Sequence, residues 1–395
     1  MPLSFASLYC GCGGFDLGLI QAGYRCVGAF DIDPLAIQVH NSNLRSQASV
    51  CDLSSDSLDL EGLKGVDVLT AGSPCQGFST IGNRNPDDPR NSLLVRGGHI
   101  AAAVKPKVYV AENVAGVIAG EHRRYWDALR SILRTAGYHT ADVCCDAHQM
   151  GVPQRRRRMV MIAWRSGREI TFALPRIDGG SVANVLHFRD GTPNHKPSKL
   201  PAGSQALLIA KHIRQGQKLS NVRGGPRAVH TWHIPEVFGK TSAEERRVLE
   251  ALVKLRRQCR TRSFGDADPV TATIISRYVG HPVSDTLASL VCRGFVRKID
   301  GSFDLTRTFN GKFRRLSLDA PSPTVDTRFG DPRYFLHPTD DRGITVREAA
   351  RLQGFPDTFL FEGPERAQYR MIGNAVPPRM AHLIAQFVRT AILKD

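Results

Sequence analysis

The sequence predicts a doubly wound α/β domain accompanied by a smaller, basic second domain. Three observations carry this. Residues 1–165 alternate short apolar runs with stretches of helical period. A glycine-rich turn follows the first apolar run. The positive charge of the chain is confined to its middle: residues 199–315 hold 22 basic and 9 acidic side chains, while residues 1–150 hold 12 and 15.

The runs "FASLY", "CVGAF", "VDVLTAG", "VYVAEN" and "RMVMIAW" read as buried strands. Between them, "DLGLIQAGY", "DPLAIQVHNSN", "NSLLVRGGHIAAAV" and "YWDALRSILRTAGY" have helical periodicity. Such alternation calls for parallel strands joined by crossover helices. In sheets of that kind ligands bind at the carboxyl ends of strands. Residues 175–235 are rich in Gly, Pro, Asn and Arg and read as irregular. Beyond them "SAEERRVLEALVKLRRQ" has a Ser cap, early acids and late bases, so it reads as a helix. "DPVTATIISRYVG" and "HPVSDTLASLVCRG" read as two more helices with proline at the first position. "FVRKIDGSFDL" reads as a hairpin turning at Asp300-Gly301. Three helices and a hairpin in this order resemble a winged helix at 243–306, either a DNA-contacting module or a packing module. Near the end, "TVREAARLQGFP" is a capped helix and "VPPRMAHLIAQFVRTAIL" an apolar one expected to pack on the first sheet.

With 42% apolar and 23% charged residues the 395-residue chain has the composition of a soluble globular protein. It has no uncharged apolar run of spanning length and no leader-like start, so a cytoplasmic protein with no membrane partner is expected. Nine scattered cysteines fit reduced thiols, and neither "CGC" nor "CCDAH" is followed by a matching pair, so no metal is expected. The net charge of +16, mostly arginine in the middle segment, favours a polyanion partner.

Several motifs sit at the strand ends. In "LYCGCGGFDLG" Gly11, Gly13 and Gly14 permit a tight turn and close approach of a ligand to a helix N-terminus. Asp31 ends the second strand about 20 residues on, where a ribose diol is held, and Asp52 stands where an adenine amino group would lie. No phosphate-gripping lysine pattern is present, which favours a nucleoside without phosphates. Cys75 in "AGSPCQGFST" follows the fourth strand and Glu112 ends the fifth, on the same edge. A buried acid there needs a partner or a function. "QRRRR" at 154–158 precedes "MVMIAW"; if that strand is antiparallel, its arginines reach the same rim.

The ordered set "CGCGGFDLG", "FDIDPLA", "CDLS", "AGSPCQGFS", "AENV", "QRRRR", "SPTVDTR" and "IGNAVPP" resembles the motif series of the cytosine-5 DNA methyltransferases, of the bacterial restriction-modification type. The resemblance covers about 5–165 and 315–392. It implies a Rossmann-like S-adenosylmethionine-dependent methyltransferase domain at 1–170 and 340–395, and a target recognition domain at 171–339. It implies that Cys75 attacks carbon 6 of a flipped-out cytosine while Glu112 holds or protonates ring nitrogen 3. Arg156 and Arg158 would contact the cytosine carbonyl and a nearby phosphate and favour the thiolate. Gly11, Gly13, Gly14 and Phe15 would frame the methionine part of S-adenosylmethionine, with Tyr9 where Phe is usual. Asp31 would hold the ribose and Ile32 pack on adenine, with Asp52, Leu53, Pro74, Leu93, Asn374 and Val376 completing the pocket. Ser79–Arg90 would be a loop closing over the base, and Gln76, Ser79, Arg90, Arg223 and Arg227 would contact DNA. A monomer acting on double-stranded DNA is implied, with a cognate restriction endonuclease as a candidate companion. An RNA (tRNA) cytosine-5 methyltransferase and a catalytically silent DNA-binding regulator stand as alternatives.

Overall fold

Seven strands form the first sheet in the order β3-β2-β1-β4-β5-β7-β6. In the computed structural model, which describes residues 2–55, 58–78, 85–167, 170–261 and 267–393, they are β1 (Ser4–Leu8), β2 (Arg25–Asp31), β3 (Ala48–Val50), β4 (Val68–Ala71), β5 (Val108–Val114), β6 (His139–Asp146) and β7 (Arg157–Trp164). β1 to β5 are parallel; β7 runs antiparallel to β5 and β6 antiparallel to β7. The helices α1 (Gly14–Gln21), α2 (Pro34–Leu44), α3 (Ser92–Val104) and α4 (Arg123–Thr135) make the crossovers. β6 escaped the sequence reading because it is an edge strand whose pattern is mostly exposed or half-buried. The β5–β7 register sets Glu112 opposite Val160 and Val114 opposite Arg158, so the antiparallel strand does deliver Arg158 to the carboxyl edge of β5.

α1 and α2 are joined by a buried pair, His40 Nε2 and Asp16 Oδ2 at 2.8 Å, both side chains fully enclosed. The start of α1 is forced by backbone geometry. Gly13 caps it with φ +94, and a Cβ there would meet Leu44 at 2.5 Å and His40 at 2.7 Å.

The chain folds into two units. The first holds residues 1–196, 319–328 and 345–395; the second holds 197–318 and 329–344. The expected boundaries at 171 and 340 therefore shift: 171–196 and 319–328 belong with the first unit, and 340–344 with the second. The reason is backbone pairing, since Arg155 N–H donates to Ser322 O at 2.8 Å and Val182 N–H to Ala320 O at 3.0 Å.

The second unit begins with α5 (Gln205–His212), capped by Ser204, in a stretch expected to be irregular. At eight residues it is too short to impose a period on that sequence. Next come β8 (Lys218–Ser220), β9 (Ala228–Val229), α6 (Pro235–Phe238), α7 (Ala243–Gln258), β10 (Val270–Thr271), α8 (Ala272–Val279), α9 (Ser284–Cys292), β11 (Val296–Ile299) and β12 (Ser302–Leu305). β13 (Asn310–Lys312), β14 (Arg314–Arg315) and β15 (Phe335–Leu336) complete it. α7 has the expected Ser cap, and the structure extends it to a capping box, with Ser242 and Glu245 each bonding the other's backbone N–H. The hairpin turns where expected, with Asp300 at φ +47 and Gly301 at φ +78. Proline does not open α8 or α9. Val270 and Thr271 pair with Phe303 and Ser302, so α8 starts only at Ala272, and α9 starts two residues after Pro282. Trp232, Leu249, Leu252, Leu287, Leu290 and Val296 share the core beneath these elements.

The first unit closes with α10 (Val346–Gln353), α11 (Glu365–Asn374) and α12 (Pro378–Phe387), followed by a π-helical turn at Val388–Leu393. α12 packs as expected: Met380, Ala381 and Ile384 join Phe5, Phe15, Val110 and Val160 in one core of the sheet. Among the described residues no helix is long and apolar enough to cross a membrane.

Candidate active site

The turn after β1 uses three left-handed residues in five: Tyr9 (φ +57), Gly11 (φ +54) and Gly13 (φ +94). A tyrosine in that region is strained, and it is held there by its hydroxyl, which donates to Leu93 O at 3.0 Å. Gly11 has open space where a Cβ would stand, with no atom within 4 Å. Gly14 is the opposite case: a Cβ would lie 2.5 Å from Val376 O, so the turn and the "NAVPP" segment touch backbone to backbone.

This turn opens onto a cavity of about 350 Å³ at the carboxyl edge of the sheet. Tyr9, Gly11, Gly14 and Phe15 line it from β1 and α1; Asp31, Ile32, Asp52 and Leu53 from the ends of β2 and β3. Pro74, Leu93, Asn374 and Val376 supply the rest of the expected cofactor set. Gly13 is the exception: it does not line the cavity and serves the turn and the α2 contact instead. Asp31 already accepts from Gly11 N–H and Asp33 N–H, both at 2.9 Å. Burial raises its pKa, and the two amides oppose that rise. Asp52 is exposed and held below the usual carboxylate range by the hydroxyl and amide of Ser54. Ile32 is an apolar side chain 66% exposed on the cavity wall.

Cys75, Gln76, Glu112, Arg156 and Arg158 line the same cavity. Cys75 sits in a tight turn whose carbonyl accepts from Phe78 N–H at 3.0 Å. Its thiol is pushed above the ordinary value by burial; the Arg158 charge opposes this, Glu112 adds to it, and Arg156 opposes it more weakly. Glu112 Oε1 lies 2.8 Å from Arg158 Nε, both nearly buried, yet out of line for a hydrogen bond. Arg156 is 2% exposed and clamps three carbonyls: Nη1 bonds Val325 O at 3.0 Å, and Nη2 bonds Gly373 O at 3.0 Å and Ala375 O at 2.9 Å. Burial and Arg158 lower its pKa, while the carbonyls satisfy its charged form. Only its Nε is left without a partner. The expected contact of Arg156 with a base carbonyl thus competes with a structural task that two of its three nitrogens already perform.

Two further residues shape the site. Asn113, beside Glu112, donates to Ser73 O and Ser73 Oγ at 3.3 and 3.1 Å and so ties β5 to the turn bearing Cys75. Gln154 accepts from Val325 N–H at 2.8 Å and donates to Leu352 O at 3.1 Å. Both stand inside motifs already noted, "AENV" and "QRRRR", but their partners are distant in sequence.

The expected DNA contacts are less uniform. Gln76 lines the cavity, and Ser79 lies outside the described residues. Arg90 does not line it; its fork closes on Asp88, with Nε to Oδ1 at 2.9 Å and Nη2 to Oδ2 at 2.7 Å. Arg223 and Arg227 stand on the loop between β8 and β9 of the second unit. Burial lowers the pKa of Lys218 nearby, and the charges of Arg314, Arg223 and Arg227 add to the effect.

A family model described as C-5 cytosine-specific DNA methylase matches residues 3–389. Type II methyltransferase M.AgeI of Thalassovita gelatinovora is 30% identical over 439 residues, covering 98% of this chain and 99% of the relative. Type II methyltransferase M.XorII of Xanthomonas oryzae pv. oryzae is 30% identical over 400 residues, covering 98% and 84%. The fold is similar to those of the Entamoeba histolytica methyltransferase EhMeth (TM-score 0.57, 13% identity, all of both chains) and the S. pombe Dnmt2 methyltransferase (TM-score 0.53, 18% identity, 98% of both). The chain therefore belongs to the C-5 cytosine-specific DNA methylase family, and its activity is methylation of DNA cytosine at carbon 5.

Proposed function

We propose that the cavity at the carboxyl edge of the first sheet carries this reaction on duplex DNA, with Cys75 as nucleophile and S-adenosylmethionine as methyl donor. The observation that supports it is the convergence of Cys75, Glu112, Arg156 and Arg158 on the cavity that the glycine turn, Asp31 and Ile32 also line.

The lining fits the donor. Gly11 leaves room beside the backbone, Asp31 and Asp52 offer acceptors for a ribose diol and an adenine amino group, and Ile32 offers an apolar face for a flat ring. When bound, S-adenosylmethionine supplies an electrophilic methyl group to carbon 5. The chain's own residues make carbon 5 a nucleophile. Cys75 thiolate adds to carbon 6, which breaks the aromaticity of the ring and leaves carbon 5 enamine-like. Glu112 protonates ring nitrogen 3 as the electron pair displaced by the attack reaches it, stabilising the adduct, and takes the proton back when the thiolate leaves. Arg158, ion-paired to Glu112, orients that carboxylate and lowers the cost of the thiolate. Arg156 adds charge and fixes the 373–375 backbone beside the donor site. Loss of the carbon-5 proton and departure of Cys75 restore the ring. A stacked base presents no accessible carbon 6, so the target leaves the duplex first.

The second unit reads the DNA, and its positive charge supports this role. Similarity to Type II methyltransferases supports a restriction endonuclease of matching specificity as companion. The chain acts as a monomer, which light scattering at working concentration checks. Incubation with tritiated S-adenosylmethionine and duplex DNA, single-stranded DNA or tRNA tests the function. Label is expected in duplex DNA and absent with Cys75→Ser, whose cofactor binding stays near wild type. Label confined to tRNA, or retained turnover in Cys75→Ser, would refute the reading.

A further inference from the structure

The elements from α7 to β12 run helix, strand, helix, helix, strand, strand, and their sheet order is β10-β12-β11. That is the arrangement of a winged helix, in which the last helix, here α9, would enter the major groove. The surface of α9 does not suit that task. Its exposed residues are Ser284, Asp285, Ala288, Ser289 and Cys292, with no cation among them. Arg293, just past its end, donates to Glu245 Oε2 at 2.7 Å and to Lys240 O.

The unneutralised charge of this unit stands elsewhere. α7 carries Lys254 and Arg257 on its exposed side, about one turn apart. With Arg223, Gly224 and Gly225 of the β8–β9 loop they line an open groove of about 680 Å³, in which Glu250 is the one acid. Among the described residues, Arg223 and Arg257 have no carboxylate partner. Lys254 is held by Tyr278 and by no carboxylate among the described residues: its Nζ donates to the tyrosine hydroxyl at 3.0 Å and lies 5.0 Å from the ring centre. His233, also lining the groove, is held below its ordinary pKa by burial and so adds no charge near neutral pH. On the loop side, a Cβ on Gly224 would meet only Val253, at 3.9 Å, and Gly225 adopts φ +108. The loop backbone is therefore bare where a polyanion would approach.

We propose that this groove between α7 and the Gly224–Gly225 loop, and not α9, grips the phosphodiester backbone of duplex DNA. The proposal rests on the reading that duplex DNA is the substrate. Guanidinium groups without a carboxylate partner, and an ammonium held only by a neutral tyrosine, suit phosphates beside bare backbone, and phosphates position a protein on DNA without specifying sequence.

The test is equilibrium binding of the full chain to a fluorescent duplex by anisotropy across a salt series. The Lys254→Glu/Arg257→Glu pair is compared with Ala288→Glu on α9; all three positions are exposed, and circular dichroism checks the fold. The paired variant should bind about tenfold more weakly or worse, with a salt slope shallower by about 2. Ala288→Glu should bind within about twofold of wild type, as expected for a surface outside the contact. Unchanged affinity and slope in the paired variant would overturn the proposal, as would an equal loss in Ala288→Glu. Loss of duplex RNA binding with DNA binding intact in the paired variant would also overturn it. Binding is read without turnover. Protein that grips DNA through the groove yet never methylates it would support the groove and contradict the enzymatic reading.

Discussion

At the residue scale, Cys75 faces opposing electrostatics. Burial and Glu112 favour the thiol, whereas Arg158 and Arg156 favour the thiolate. The net shift is upward, so the thiolate fraction is small at neutral pH and grows as pH rises. Activity should therefore climb with pH on its acidic limb. Arg158→Met removes the larger thiolate-favouring charge, so that limb should move to higher pH, as a pH series of single-turnover rates would record. An unmoved profile would separate Arg158 from the ionisation of Cys75. The sequence placed Cys75 and Glu112 on one edge because each ends an apolar run. It could not reveal the clamp made by Arg156, whose carbonyl partners lie 169 to 219 positions away. Nor could it reveal that Arg90 closes on Asp88 two residues earlier, since an exposed arginine reads the same whether paired or free.

At the scale of elements, the contact between the α1 turn and the "NAVPP" segment shapes the cavity proposed to hold the donor. A methyl group on Gly14 would stand 2.5 Å from Val376 O and 3.0 Å from Ala375 Cβ, and backbone cannot yield as a side-chain tip can. Gly14→Ala should cost about 1–3 kcal/mol of stability as an overpacked site and weaken S-adenosylmethionine binding. Urea unfolding and calorimetric titration would measure the two effects. Full retention of both would show that the segments separate without penalty. Some helices were legible through their caps, α7 through Ser242 and Glu245 and α10 through Thr345 and Glu348, whereas α1, α4 and α12 were legible from their apolar pattern without a side-chain cap. α5 and β6 were missed, one for its length and the other for lacking a buried face. The proline expected to open α8 failed as a signal because sheet pairing at Val270 and Thr271 overrode it.

At the scale of the whole molecule, buried thiols tie stability to pH. Burial pushes Cys12, Cys26 and Cys145 up to about 12. A thiol whose folded pKa exceeds its unfolded value contributes stability that is complete below the unfolded value and lost as pH rises through the folded one. Between about pH 9 and 12 unfolding free energy should fall by about 1.4 kcal/mol per pH unit for each of these groups. Denaturant midpoints at pH 7 and pH 10 check this, and equal midpoints would contradict it. The two-unit organisation was visible in the charge distribution along the chain. Its boundaries were not, because the strap at 319–328 returns to the first unit through backbone pairing at Ser322 and Ala320 rather than through any change in composition.

The proposed mechanism requires Cys75 to form a bond to the cytosine it modifies. A duplex in which the target cytosines carry fluorine at carbon 5 cannot lose a proton there, so release of the enzyme after methylation is blocked. With S-adenosylmethionine present, denaturing mass spectrometry should find the protein joined to DNA one to one, the link mapping to Cys75 and absent from Cys75→Ser. Wild-type protein that methylates ordinary duplex DNA but forms no such adduct, or an adduct that survives Cys75→Ser, would contradict the account.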